Sequence, residues 1–280
     1  MRFALSVPCF GTFGDPAVHA RLARTAEGAG WDAYFIWDHI RIGDWAGPVT
    51  DPWIALAAVA TATERITIGP MVTPLPRRRP TKLARETVAL DHLSGGRLLL
   101  GVGIGWPRDV DFGDLGDALD DRTRADQLDE ALEVLTALWS GEPVDHRGEH
   151  YTVTGARFIP TPLQQPRIPI WVGGMWPNKR PFRRAGRWDG VVPIAVDEQE
   201  MPRDLSHDEI REIIAYVAEH RERAEPFEVM VGGSCFGRRE DGPELVAAHA
   251  AAGVTWWLEH IGWPVESLET WQAHIGQGPP

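Results

Sequence analysis

Short apolar and β-branched runs recur from one end of the chain to the other, and the stretches between them carry apolar residues at helical spacing. This alternation predicts strands at residues 2–8, 32–37, 66–72, 98–103, 169–173, 190–194, 228–232 and 254–259. Helices are predicted at 16–29, 52–62, 80–93, 122–140, 178–186, 206–223, 242–252 and 265–275, several opening with Pro and closing before Gly. Strands that alternate with helices pair in parallel through right-handed crossovers. Eight such units predict an α/β fold, a single (β/α)8 TIM barrel spanning residues 1–280. An open doubly wound sheet shares this periodicity, but a length of 280 residues is close to the roughly 250 usual for the barrel. Two segments exceed a minimal unit and are read as insertions. Residues 107–121, after the fourth strand, form an Asp- and Gly-rich loop, and residues 141–166, before the fifth, are read as a hairpin or extended excursion.

Composition narrows the classes. With 43% hydrophobic residues and no run of about 20 consecutive apolar ones, the chain is expected to fold around an ample core and not to span a membrane. A net charge of −12 argues against nucleic-acid or anionic-membrane partners, while leaving room for local basic clusters around a small anionic ligand. Met1-Arg2 leads straight into an apolar run without a secretory layout, so a cytoplasmic location is expected. Cys9 and Cys235 are read as buried thiols without chemistry.

In a parallel α/β fold the carboxyl ends of the strands carry the chemistry. The second strand ends in Asp38-His39, a carboxylate beside a side chain suited to proton transfer near neutral pH. Adjacent strand residues point to opposite faces, so the two need not touch, and a histidine that only bonds a loop is the plain alternative. The third strand leaves through Pro70, Met71 and Thr73 without a bulky polar side chain, which suits a flat ligand, with Thr73 able to donate a hydrogen bond. Arg77, Arg78 and Arg79 follow between prolines, which predicts a non-helical basic loop. On the fourth strand the small residues around Gly103, Ile104 and Gly105 precede Trp106 and admit a ring system; packing within the barrel is the alternative. The fifth strand runs through Gly173, Gly174, Met175 and Trp176 into a helix with Lys179, Arg180, Arg183 and Arg184, a candidate phosphate cradle or a simple βα turn with a basic surface.

No metal site is expected. His146 and His150 have zinc-like spacing, but an intervening Gly denies them a helix. Neither a nucleophile elbow nor a phosphate loop is present. Such thin catalytic equipment suggests that a bound organic cofactor does the difficult chemistry. Trp37, Trp45, Trp53, Trp106 and Trp176 lie near strand ends, which suggests an apolar or aromatic substrate, with core packing as the alternative for each.

Four stretches together resemble the bacterial luciferase-like superfamily, barrel oxidoreductases that use FMN or the deazaflavin F420. They are residues 29–39 (Ala-Gly-Trp-Asp-Ala-Tyr-Phe-Ile-Trp-Asp-His), 64–69 (Glu-Arg-Ile-Thr-Ile-Gly), 90–106 and 169–174 (Pro-Ile-Trp-Val-Gly-Gly). The resemblance implies a catalytic role for His39 and cofactor contacts for Asp38, Pro70, Met71, Thr73, Gly103, Ile104, Gly105, Trp106, Gly173, Gly174, Met175 and Trp176. It also implies a non-proline cis peptide at Pro70-Met71, a homodimer, and a separate flavin or F420 reductase as partner. Ile104 departs from the pattern, standing where sugar-phosphate dehydrogenases of the superfamily carry a glutamate acid and luciferases an arginine. The expected function is F420- or FMN-dependent hydride transfer or oxygen activation on a small organic substrate. A non-catalytic barrel that carries or senses a cofactor or metabolite is the alternative.

Overall fold

The structure, a computed structural model, describes residues 1–198, 202–236, 240–262 and 266–280. Its parallel strands are β1 (Arg2–Val7), β2 (Ala33–Ile36), β3 (Thr67–Pro70), β4 (Thr73–Pro74), β5 (Leu100–Gly103), β8 (Ile170–Trp176), β9 (Gly190–Val196), β11 (Glu228–Gly233) and β12 (Trp256–His260). They pair in the order β3-β2-β1-β12-β11-β9-β8-β5-β4. The ring closes where Thr73 pairs with Val102 and Ile68 bridges Leu98, giving the expected eight staves. The third stave is not continuous. A cis peptide between Met71 and Val72, one bond later than expected, divides it into β3 and β4.

The helices are α1 (Pro16–Gly28), α2 (Pro52–Ala62), α3 (Pro80–Ser94), α5 (Asp121–Trp139), α6 (Lys179–Ala185), α7 (His207–Glu219), α8 (Gly242–Ala251) and α9 (Leu268–Gly276). Local chemistry sets their starts. Asp15, Asp51, Asp120, Asn178, Ser206 and Ser267 each accept a hydrogen bond from a first-turn amide, satisfying donors that the helix leaves free. The predicted start of the last helix at Val265 lies outside the described residues. The 107–121 insertion contains a short helix, α4 (Arg108–Asp111), and residues 141–166 form the expected hairpin from β6 (Pro143–Arg147) and β7 (Thr152–Arg157). Glu130 of α5 pins that hairpin by accepting from His146 Nε2 and from the amides of His150 and Tyr151. A minor strand, β10 (Pro202–Arg203), pairs antiparallel with β9. No helix among the described residues is long and apolar enough to cross a membrane.

Alternation along each strand divides the core in two. Ala4, Ala33, Phe35, Met71, Leu99, Trp171, Val192, Met230, Trp256 and Leu258 fill the barrel, while Leu5, Val7, Tyr34 and Ile36 pack outward against the helices. Both cysteines are buried, and burial pushes the Cys9 thiol up to about 12.

One polar contact in the outer layer makes stability depend on pH. His19 of α1 is fully buried, its Nδ1 accepting from the Tyr34 hydroxyl (3.0 Å) and its Nε2 donating to the Phe13 carbonyl (2.9 Å). Burial lowers its pKa to about 4 from an ordinary 6.5, so the folded protein holds it neutral while the unfolded chain protonates it. Its contribution is complete above about pH 6.5 and is lost as pH falls toward 4, amounting to about 2.5 kcal/mol between pH 7 and 4.5. Urea unfolding at both pH values should show that much less acid sensitivity in His19→Gln than in the unaltered protein. An equal loss in both would show that His19 does not control it.

Candidate active site at the barrel mouth

The alternation of β2 carries past its end and sorts the residues that follow. Trp37 continues the inward series of Ala33 and Phe35, and its Nε1 donates to Ser6 Oγ at 2.7 Å. Asp38 turns outward beneath α2, where its carboxylate accepts from Trp53 Nε1 at 3.3 Å. His39 comes next at the mouth. The two neighbours do not touch directly; a third element joins them.

That element is Asp111, at the end of α4. Its Oδ2 accepts from His39 Nδ1 at 2.9 Å, and its Oδ1 accepts from the amides of Ile40 and Arg41 at 2.9 and 3.0 Å. Arg77 lies between the two carboxylates, with Nη1 2.5 Å from Asp111 and Nη2 3.0 Å from Asp38. Arg78 binds both oxygens of Asp38, at 2.7 and 2.8 Å, and the Thr73 hydroxyl donates to Asp38 as well. The side chains of Asp38 and Asp111 are wholly buried. Burial alone would raise both carboxyl pKa values. For Asp38 the charges of Arg78 and Arg77 outweigh it, and for Asp111 the His39 hydrogen bond and the Arg77 charge do, so both are held below the usual range. An ionised Asp111 has no proton to give. The proton of the His39–Asp111 contact therefore sits on Nδ1, and Nε2, without a partner among the described residues, is the atom free to exchange one at the mouth.

Small strand ends form a platform beside His39. A Cβ on Gly103 would lie 2.8 Å from Val72 Cγ2, and one on Gly173 would lie 3.0 Å from Val72 Cγ1. These glycines let Val72 lean across the ends of β5 and β8 with nothing bulkier beside it. Below it, Pro70 and Met71 press on Gly101, where a Cβ would meet the Pro70 carbonyl at 2.5 Å. Gly105 has a φ of +88°, and a Cβ there would lie 2.3 Å from the buried Phe112 ring. Arg124 of α5 fixes this turn by donating to the carbonyls of Ile104 and Gly105 at 3.0 and 3.1 Å. Trp106 stands at the rim, 40% exposed. The structure thus brings His39, Val72, Gly103, Gly173 and Trp106 to one mouth.

Other expectations are redirected. Thr73 is fully buried with its hydroxyl given to Asp38, so it holds the carboxylate in place. Gly174 and Trp176 face α6: a Cβ on Gly174 would lie 2.3 Å from Pro181, and the buried Trp176 ring packs on Phe182 at 5.2 Å. Alternation leaves Gly173 and Met175 toward the mouth. Arg77 opens the loop as the end of a single 3-10 turn, Leu75–Arg77, and Arg77 and Arg78 serve internal carboxylates. The basic face of α6 is likewise compensated. Arg180 pairs with Asp126 and Asp129, Arg184 with Asp129, and Lys179 sits 3.4 Å from the Trp176 ring centroid. A cavity of about 160 Å³ between the starts of α5 and α6, beside the turn after β5, is lined by Ile104, Arg122, Asn178, Arg180 and Arg184, and its lining does not include His39. No group of three or more metal-ligating side chains occurs among the described residues.

Asp111, Arg124, Val72 and His260 are among the residues the sequence reading missed. The run of aspartates at 109, 111, 114 and 117 marks an acidic loop but does not single out Asp111.

Comparison with known proteins identifies the family of this barrel. The chain belongs to the luciferase-like monooxygenase family, whose model matches residues 4–266. It is 34% identical over 183 residues to the F420-dependent glucose-6-phosphate dehydrogenase of Nakamurella multipartita, covering 63% of this chain and 52% of that protein. The fold matches the F420-dependent tetrahydromethanopterin reductase of Methanopyrus kandleri with a TM-score of 0.76 at 16% identity, over 99% of this chain and 98% of that one. It also matches the oxygenating constituent of 3,6-diketocamphane monooxygenase from Pseudomonas putida, solved with FMN, at a TM-score of 0.63 and 19% identity, over 85% and 74% of the two chains. Those structural likenesses establish the fold.

Proposed function

We propose that the protein is an oxidoreductase that holds F420 or FMN over the ends of β4, β5 and β8 and uses His39 to carry a proton to or from a small organic substrate. The observation that carries the reading is the His39–Asp111 contact, which fixes one tautomer and leaves Nε2 free. When bound, F420 supplies hydride transfer, and FMN supplies hydride transfer or oxygen activation. The platform fits a flat ring, since Gly103 and Gly173 place no side chain beside Val72. Val72 and Trp106 would exclude water from one face and edge, while His39 meets the reacting group from β2. Ile104 has no proton to donate, so acid catalysis from the β5 turn is not part of this reading. A histidine without an acid-base partner would favour the carrier or sensor alternative, and Asp111 is a partner for His39.

Fluorescence titrations of the purified protein with F420 and with FMN, at low and moderate salt, test the cofactor. Submicromolar binding of F420 with weak binding of FMN would support deazaflavin hydride transfer. The reverse would support FMN chemistry with a separate reductase, and binding of neither would sink the reading.

A further inference from the structure

The platform occupies only the β4, β5 and β8 side of the mouth; the opposite arc, from β2 through β1 and β12 to β11, has a different character. Four rings descend along it. Trp45 meets Phe10 edge-on with centroids 5.6 Å apart, Phe10 lies 5.9 Å from Trp37, and Trp37 lies 6.1 Å from His39. Trp45 is 66% exposed, an uncommon position for a tryptophan that only packs. Its pose is built in. A Cβ on Gly43 would lie 2.6 Å from Trp45 Nε1, so the glycine makes room for the indole, and the Gly11 and Thr50 amides donate to the Pro48 and Cys9 carbonyls, both at 2.8 Å, fixing this loop to the end of β1.

His260 completes the arc. It follows Trp256 and Leu258 in the inward series of β12, pairs in register with Ser6, and lays its ring across Gly232, where a Cβ would come within 2.1 Å of Nε2. Neither ring nitrogen has a hydrogen-bond partner among the described residues, unlike His19, whose two nitrogens are both satisfied. Burial lowers the imidazole from its usual range and keeps it neutral, able to donate from one nitrogen and accept at the other. Ser6, Phe10, Trp37, Trp45 and His260 carry no fixed charge; Arg41 beside Trp45 is paired with Asp44 and Asp114, and Asp204 is a nearby carboxylate whose field reaches His260, so this arc offers rings, the Ser6 hydroxyl and one neutral imidazole.

We propose that this arc is the substrate subsite and that it takes an uncharged planar aromatic molecule bearing a hydroxyl or carbonyl oxygen, stacked on the Phe10, Trp37 and Trp45 wall with its oxygen bound by His260. The proposal rests on the oxidoreductase reading above and names its substrate class. A fixed ring wall binds flat molecules at low conformational cost, and a site with a partly buried hydrogen-bonding group rejects analogues that leave it unpaired.

The test uses 2-naphthol as probe, with decahydro-2-naphthol as its saturated analogue and 2-naphthoate as its anion, each titrated by ligand-observed NMR against the whole protein. Naphthol should bind at least about 10-fold more tightly than either analogue. Trp45→Ala, at an exposed position that leaves the fold intact, and His260→Phe should each weaken naphthol binding about 3- to 10-fold, with His260→Gln recovering part of the loss. Equal affinity for the saturated analogue, no naphthol binding, or unchanged affinity in both variants would overturn the subsite. The cofactor titrations keep the two ideas apart. A protein that binds neither F420 nor FMN yet still discriminates naphthol loses the oxidoreductase reading and keeps the aromatic subsite, and the opposite pattern removes the subsite alone.

Discussion

His39→Ala should lower single-turnover reduction or reoxidation of the bound cofactor, net of the free-solution rate, by about 10²- to 10⁴-fold, the usual contribution of a positioned proton carrier. The affinity for the cofactor should change little, because the platform of Val72, Gly103 and Gly173 comes from other strands. Asp111→Asn keeps the shape but removes the charge that fixes the imidazole, and an amide can present its NH2 to Nδ1 and reverse the tautomer. Its expected loss is about 10- to 10²-fold, mostly in kcat. Because both act on one proton, the double variant should lose little more than His39→Ala alone. Added imidazole should restore part of the rate in His39→Ala, a response that repair of a structural defect would not produce. Full activity in His39→Ala would remove the catalytic role, and additive losses would separate Asp111 from it.

The fold was readable because each stave repeats the same physical signal. Period-two alternation, Pro at helix starts and Gly after helix ends are local properties, and the eight units follow from them. What failed was partner choice. Asp111 is 72 residues from His39 and one of several aspartates in its loop; spacing does not say which of Asp109, Asp111, Asp114 and Asp117 turns inward. The partners of the basic helix were hidden for the same reason. Arg180 and Arg184 read as a phosphate cradle or as a basic surface until α5 brings Asp126 and Asp129, 51 to 55 residues away, against them. Gly174 and Trp176 were assigned to the mouth with their neighbours because the strand was read as one motif, although alternation sends every second residue to the helix layer. His260 drew no notice for want of any sequence partner, and the absence of a hydrogen-bond partner for its ring among the described residues is what makes it informative.

Asp38→Asn should destabilise the protein by about 3–5 kcal/mol, the usual cost of leaving a buried ion pair half-made, and lower Tm by roughly 6–12 °C. Two carboxylates and two guanidinium groups balance here: Asp38 and Asp111 against Arg77 and Arg78. Removing one negative charge leaves Arg77, whose side chain is 1% exposed, with only Asp111 to face and no route to water. Arg78 is nearer the surface, at 18%, and relaxes more easily. The double variant Asp38→Asn/Arg78→Met restores the charge balance and should recover about half of the loss. The acid limb separates this network from His19. Asp38 has a depressed folded pKa, so its stabilisation is present above the ordinary carboxylate value and is lost only as pH falls through the lower folded value. The His19 effect is already spent by pH 4, where that of Asp38 begins. Cofactor affinity should stay within about threefold in Asp38→Asn, because Trp53, Thr73, Arg77 and Arg78 already fill its acceptor positions. A large loss of affinity with unchanged Tm would instead make Asp38 a cofactor contact and Arg77 and Arg78 its supports.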